Sequence, residues 1–150
     1  TDLLSSARCL VEEYPLPAGV IDMGTATTLA VVNSEKEFIG GMIMSGFRIS
    51  LDSHVSNTSL PKISIEKPKR FIGRNTVECM QSGLIYGTAS CIDGMLERIE
   101  SEINQKITAV ATGNFAEFIV PYCRHNILVD NKLVLKGLVI IYNNNKKILL

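Results

Sequence analysis

Apolar positions recur at helical spacing in the first twelve residues. Leu3, Leu4, Ala7, Leu10 and Val11 share one face, which predicts an amphipathic helix over Asp2–Glu13. Asp2 stands where an N-cap or first-turn carboxylate is favoured. Tyr14-Pro15-Leu16-Pro17 ends the helix, since proline cannot continue it. The pattern then changes. Val20 and Ile21 are apolar and β-branched, fit for a buried strand, and Leu29, Val31 and Val32 resume after a polar interval. Strand, tight turn, strand is the reading. Asn33-Ser34-Glu35-Lys36 is a hairpin turn, followed by a third strand over Glu37–Met44, antiparallel to the second. Phe47–Val55 reads as a helix, Asn57–Arg70 as an irregular connection, and Lys62–Ile65 within it as a short extended piece.

Thr76–Glu102 is the longest periodic segment, with Met80, Leu84, Ile85, Ala89, Ile92, Met95, Leu96 and Ile99 on one broad apolar face. Gly83, Gly87 and Gly94 fall within it, each costing up to about 1 kcal/mol against alanine. Gly83 and Gly87 share a face, which predicts close packing against another helix or the sheet. Ile107–Ala111 is a buried strand by composition, Thr112-Gly113-Asn114 the turn after it, and Asn114–Val120 a short helix stopped by Pro121. Ile127–Val129 is a short strand. Leu133–Tyr142 is the last helix, ending at Asn143-Asn144-Asn145. A meander followed by alternating helix and strand predicts an α/β domain: three antiparallel strands extended by parallel ones, with helices packed on the sheet.

The polar interval carries the chemistry. It reads Asp22-Met23-Gly24-Thr25-Ala26-Thr27-Thr28. Gly24 lets the backbone approach a bulky anion and take dihedrals closed to other residues. Thr25, Thr27 and Thr28 offer hydroxyls beside the N–H groups of the turn, a concave donor set that suits phosphate. Asp22, at the strand end, could hold a metal or a monovalent cation. A structural hairpin explains the same residues without any ligand.

Bulk composition narrows the class. The chain has 150 residues, 46% hydrophobic and 20% charged, enough for one globular domain with a real core. Fifteen basic and fifteen acidic residues cancel, so no bulk charge draws it to nucleic acid or an anionic membrane. Cys9, Cys79, Cys91 and Cys123 form no C-x-x-C pair, which points to a reduced, cytoplasmic chain. No signal peptide is visible, and the apolar run Leu138–Tyr142 is far too short to span a bilayer. His54 and His125 have no ligand-spaced partner, which argues against zinc. Lys62, Lys67, Lys69, Arg70 and Arg74 read as a solvated basic loop.

Several of these segments occur together in one known order. Asp22–Thr28 resembles the second phosphate loop of type III pantothenate kinases, members of the sugar kinase, Hsp70 and actin superfamily. Phe71-Ile72-Gly73-Arg74-Asn75-Thr76-Val77-Glu78 resembles the Ile-Gly-Lys-Asn-Thr segment of that family and the helix after it. Gly40-Gly41 and Ser45-Gly46 sit where the family has a Gly-Gly strand and a Pro-Gly turn. The resemblance covers essentially the whole chain, weakening after about Val120.

The resemblance implies one ribonuclease H-like half of the superfamily fold. It implies ATP-dependent phosphorylation of pantothenate to 4'-phosphopantothenate, the first step toward coenzyme A, using ATP with Mg2+ and a monovalent cation (K+ or NH4+). The cation would lie near Asp22. Gly24, Thr25 and Gly113 would line the nucleotide site. Asp2, 20 residues before Asp22, fits the Gly-x-Asp-Arg motif of the family and so its catalytic base, in contact with substrate. The reading of Asp2 as a helix cap stays open beside it. Thr76 matches a substrate-contacting threonine, and Asn75 or Thr76 followed by Glu78 also reads as a helix cap. Arg48 is a weaker candidate for the substrate carboxylate. Two departures stand out. Leu3 replaces the arginine that binds the pantothenate carboxylate, and Asn114 replaces a second glycine near the adenine ring. The long helix implies a homodimer.

The first phosphate loop of the family has no copy here. Residues 1–150 are therefore expected to be the C-terminal domain, with the N-terminal half of the same protein as partner. The chain by itself is expected not to turn over ATP. The alternative is a non-catalytic kinase-fold module that binds nucleotide or regulates a partner.

Overall fold

A computed structural model describes residues 2–148 of the chain, and side chains from residue 3 to residue 147. The elements follow in the order α1 (Asp2–Glu13), β1 (Ala18–Met23), β2 (Ala26–Val32), β3 (Phe38–Ser45), α2 (Phe47–Asn57), α3 (Thr76–Ile103), β4 (Thr108–Thr112), α4 (Ala116–Ile119), β5 (Ile127–Val129) and α5 (Leu133–Ile148). The five strands form one sheet in the order β3-β2-β1-β4-β5. β1 pairs antiparallel with β2, and β2 with β3. β4 pairs parallel with β1, and β5 with β4. This is the ribonuclease H-like half that the sequence predicts.

Strand alternation sorts the side chains into two cores. Ile21, Met23, Leu29 and Val31 face α2, α3 and α4, where they meet Phe47, Leu51, Leu84, Ile92 and Ile119. Val20, Ala30, Val32 and Val110 face the other way, onto Ala7, Cys9 and Leu10 of α1 and Leu133 of α5. The apolar face of each helix thus finds a sheet face. Burying side chains of this size contributes about 1.5–3 kcal/mol apiece.

Three local expectations change. Lys62–Ile65 forms no strand. Ile63 and Ile65 pack on the first core, and Gln81 Nε2 donates to the Ser64 carbonyl at 3.3 Å, so side chains hold this segment where a ladder would. The short helix after β4 is one α turn that continues through Pro121 as a 3-10 turn, Val120–Tyr122. α5 does not stop at the asparagines but runs to Ile148. Asn143 and Asn145 are exposed, asparagine costs a helix only tenths of a kcal/mol, and Lys146 and Lys147 complement the negative C-terminal end.

α1 and α5 pack closely where they meet, since a Cβ on Gly137 would fall 1.9 Å from the Ser5 carbonyl oxygen. A polar clasp fastens the pair. Lys136 Nζ reaches Glu13 at 2.9 Å and Asp130 at 2.7 Å. Tyr14 donates its hydroxyl to Asp130 at 2.6 Å. Burial alone would raise the Asp130 carboxyl, but hydrogen bonds from Lys136, Tyr14 and the Lys132 backbone outweigh it and hold the group below the usual range. A depressed folded pKa gives stability that is full above the unfolded aspartate range, near ~3.9, and is lost as pH falls through the folded value. Asp130→Asn should therefore cost about 1.5–3 kcal/mol at pH 7. The gap to wild type should narrow as pH falls through the range where the folded carboxyl protonates, as urea midpoints across pH would register. A gap that does not depend on pH would remove the carboxylate from this role.

Candidate active site

β1 is the switch point of the sheet: the chain builds first toward β3 and then toward β5. In open α/β sheets ligands bind outside the carboxyl ends of the strands at such a point. Four of the expected residues meet there. β1 delivers Asp22 and the reversal through Gly24 and Thr25, and β4 delivers Gly113. A Cβ on Gly113 would lie 2.7 Å from the Met23 carbonyl and 2.8 Å from Asp22 Oδ1, so the two strand ends touch. Gly113 has φ +96°, the left-handed region that favours glycine. Phe115 N–H donates to the Met23 carbonyl at 3.4 Å, fastening the turn after β4 to the end of β1.

The special backbone is thus at Gly113, not at Gly24. Gly24 has no positive φ, and a Cβ there would make ordinary 3.7 Å contacts. Close approach to the turn comes instead from Gly46, at the start of α2. A Cβ on Gly46 would fall 1.9 Å from the Thr25 carbonyl oxygen.

The three threonines do not act together either. Thr27 and Thr28 are successive strand residues, so they point to opposite faces. Thr28 and Thr112 are the register partners of Asp22 and share its face. They place two further hydroxyl groups on the same face of the sheet as its half-buried carboxylate. An all-oxygen set of this kind suits a hard cation. Among the described residues no cluster of three or more His, Cys, Asp or Glu side chains could hold a metal ion. Mg2+ characteristically binds through one or two carboxylates plus substrate phosphates, so a phosphate-borne ion fits these residues better than a protein cage.

Thr27 points to the other face and is 5% exposed. It lines a cavity of ≈ 310 Å³ with Ser45, Ser50, His54, Thr88 and Cys91. A second cavity of ≈ 620 Å³ adjoins it, sharing His54, Gly83 and Leu84, and runs along α3 to Arg74, Asn75 and Thr76. These volumes lie in the range of small-molecule sites. Ser50 and His54 stand one helical turn apart on α2, a spacing legible in the sequence, but nothing local indicated that this face of α2 borders a cavity.

Asn75 and Thr76 divide the two roles read for them. Asn75 is the N-cap of α3, its side chain accepting from Glu78 N–H. Glu78 reciprocates by accepting from Arg74 N–H at 2.9 Å. That backbone bond, against the opposing effect of burial and with help from Arg70, holds the Glu78 carboxyl below the usual range. Thr76 is left with an exposed hydroxyl on the cavity wall. It is not close to the phosphate turn. Cys91 touches Met44 at the sheet edge, sulfur to sulfur 3.7 Å, and about 22 Å of helix lies between Thr76 and Cys91. The groove, not direct contact, joins the two places.

Asp2 opens α1, and its side chain lies outside the described residues. Leu3 packs against the second core. Asn114 caps nothing: the N-cap of α4 is Phe115, and no side-chain bond is made there. Arg48 pairs with Asp52 at 3.6 Å on the exposed side of α2. Gly83, Gly87 and Gly94 meet no atom within 4 Å of a built Cβ, so the close packing expected for Gly83 and Gly87 does not occur among the described residues. The four cysteines are free thiols, and no helix among the described residues is long and apolar enough to cross a membrane.

Residues 1–98 match the family model for type III pantothenate kinase. The chain is 39% identical over 145 residues to the type III pantothenate kinase of Halalkalibacterium halodurans, covering 96% of this chain and 57% of that protein. It is 37% identical over 145 residues to the one from Bacillus cytotoxicus, covering 96% and 55%. The chain therefore spans little more than half the length of these curated relatives. Among solved structures, a Baf-family transcriptional activator from Campylobacter jejuni is similar with TM-score 0.67 at 18% identity, over 97% of this chain and 65% of that one. The activator of 2-hydroxyisocaproyl-CoA dehydratase from Clostridium difficile, solved with bound ADPNP, is similar with TM-score 0.55 at 13% identity, over 91% and 62%. Likeness at this level of identity establishes the actin/Hsp70-like fold.

Proposed function

We propose, from the premise that this chain belongs to the type III pantothenate kinase family, that it is the C-terminal half of a kinase that phosphorylates pantothenate with ATP. One observation carries the reading. Asp22, the Gly24-Thr25 turn and Gly113 meet at the carboxyl edge of β1 and β4, and the Thr27 cavity opens on the other face of the hairpin that forms the turn. Phosphoryl transfer needs a held polyphosphate, neutralised charge and a carboxylate to take the hydroxyl proton. The turn and Gly113 serve the first. Asp22, with Thr28 and Thr112, would hold the monovalent cation, which together with phosphate-bound Mg2+ supplies the second. Asp2 is the base. The opposing phosphate loop belongs to the N-terminal half.

Pantothenate occupies the groove along α3. Its methyl groups suit the apolar Met80 and Leu84 wall, and Thr76 contacts it. The open stripe at Gly83 and Gly87 supports a homodimer built on α3. The enzyme is cytoplasmic. Transfer of labelled phosphate from ATP to pantothenate by the complete protein tests the reading, and an inert complete protein would end it.

A second reading is favoured by one observation. Leu3, in place of the carboxylate-binding arginine, is turned into the core, which suits a kinase-fold module that binds nucleotide without pantothenate. Leu3→Arg separates the two. In a working cleft a restored charge-assisted bond, about 1.5–3 kcal/mol, should tighten pantothenate at least about tenfold by calorimetry. A degenerate cleft should gain nothing.

A further inference from the structure

Two arginines flank the turn that leads into α3, and their side chains keep different company. Arg70 pairs with Glu78 at 3.9 Å. The Arg74 guanidinium makes no ion pair among the described residues. Its backbone, by contrast, is fixed. Arg74 N–H donates to Glu78 at 2.9 Å, and a Cβ on Gly73 would fall 2.4 Å from the Cys79 nitrogen, so the turn is pressed onto the start of α3. A fixed root thus carries an uncommitted cation on the wall of the ≈ 620 Å³ cavity. The same wall presents the Thr76 hydroxyl and the apolar Leu60, Met80 and Leu84. Arg48, the other arginine considered for a carboxylate, is turned to Asp52 on the exposed side of α2.

A cation beside an apolar wall selects an anion on an apolar body. A guanidinium fork matches a carboxylate at two points, and the positive end of α3 lies at the same place. We infer that Arg74 anchors the substrate carboxylate in this groove, the part that Leu3 cannot play, with the Thr76 hydroxyl as second donor. The inference rests on the reading of the groove as the pantothenate site. It also orients the substrate, because pantothenate has its carboxylate at one end and its primary hydroxyl at the other. With the carboxylate at Arg74, the hydroxyl end points along α3 toward Leu84, about 12 Å of helix from Thr76. There the groove meets the Thr27 cavity.

Calorimetric titration of the complete kinase with two ligands tests this: pantothenate, and pantothenol, which has an alcohol in place of the carboxylate. Arg74→Gln should weaken pantothenate at least about tenfold and leave pantothenol unchanged. Arg74→Lys keeps the charge without the fork and should recover part of the loss. Equal weakening of both ligands by Arg74→Gln, with a lowered urea midpoint, would make Arg74 structural and overturn the anchor. Cys79→Trp narrows the same groove from an exposed position and should weaken both ligands. If it does, while Arg74→Gln keeps the wild-type preference for pantothenate, the anchor is overturned and the groove reading stands. If neither variant changes the binding of either ligand, the groove is not the substrate site and both readings fall.

Discussion

Asp2→Asn in the complete kinase should lower kcat by about 10²- to 10⁴-fold and leave the KM for ATP nearly unchanged. Asparagine keeps the size and hydrogen-bonding capacity of aspartate but cannot take a proton. The first turn of a helix favours a carboxylate as the anion, which suits the position of Asp2 at the start of α1 to the proposed role of base. The wild-type pH profile should have an acid limb, where Asp2 protonates, that the variant lacks. The transition state of phosphoryl transfer is loose, and positioning supplies most of the rate. A variant within tenfold of wild type would mean that Asp2 is a helix cap and that positioning alone suffices.

Gly113→Ala should destabilise the chain by about 2–5 kcal/mol and abolish nucleotide binding in whatever remains folded. Two costs add. A non-glycine residue on the left-handed side of φ costs about 1–2 kcal/mol, and forcing a methyl group into packed backbone costs about 1–3 kcal/mol. The methyl group would meet the Met23 carbonyl and Asp22 Oδ1 at 2.7 and 2.8 Å, neither of which can move without opening the β1–β4 junction. Domains of this size have about 5–15 kcal/mol in total. Gly83→Ala is the control. It is helical, with nothing within 4 Å, and should be neutral or stabilise by up to about 1 kcal/mol. Equal urea midpoints for the two variants would show that the junction is not tight.

The contrast between these glycines marks the limit of sequence reading. Gly24 and Gly113 stand in similar polar turns between predicted elements, and the chain offers no local sign of which one is tight. The distinction arises because β4 pairs with β1 in parallel register after an interval of more than eighty residues. Thr27 illustrates the same point at the site. Its residue type suggested a hydroxyl for the phosphate turn, but strand alternation turns it away from Asp22 and into a cavity. His54, isolated along the chain, shares that cavity with it because α2 folds back over β2 and β3.

What the sequence determined by itself is what depends on near neighbours: five strands and five helices in order, the reversal at Gly24, the Asn75–Glu78 cap, and the ordered motifs that identify the family. Hydrophobic period and capping chemistry act over a few residues, so these are written locally. Tertiary structure alone decided which glycines are pressed against backbone, which threonine faces which side of the sheet, and that Thr76 stands a groove's length from the phosphate turn. Each is a distance between segments remote along the chain, and such distances exist only once the sheet has paired and the helices have packed on it.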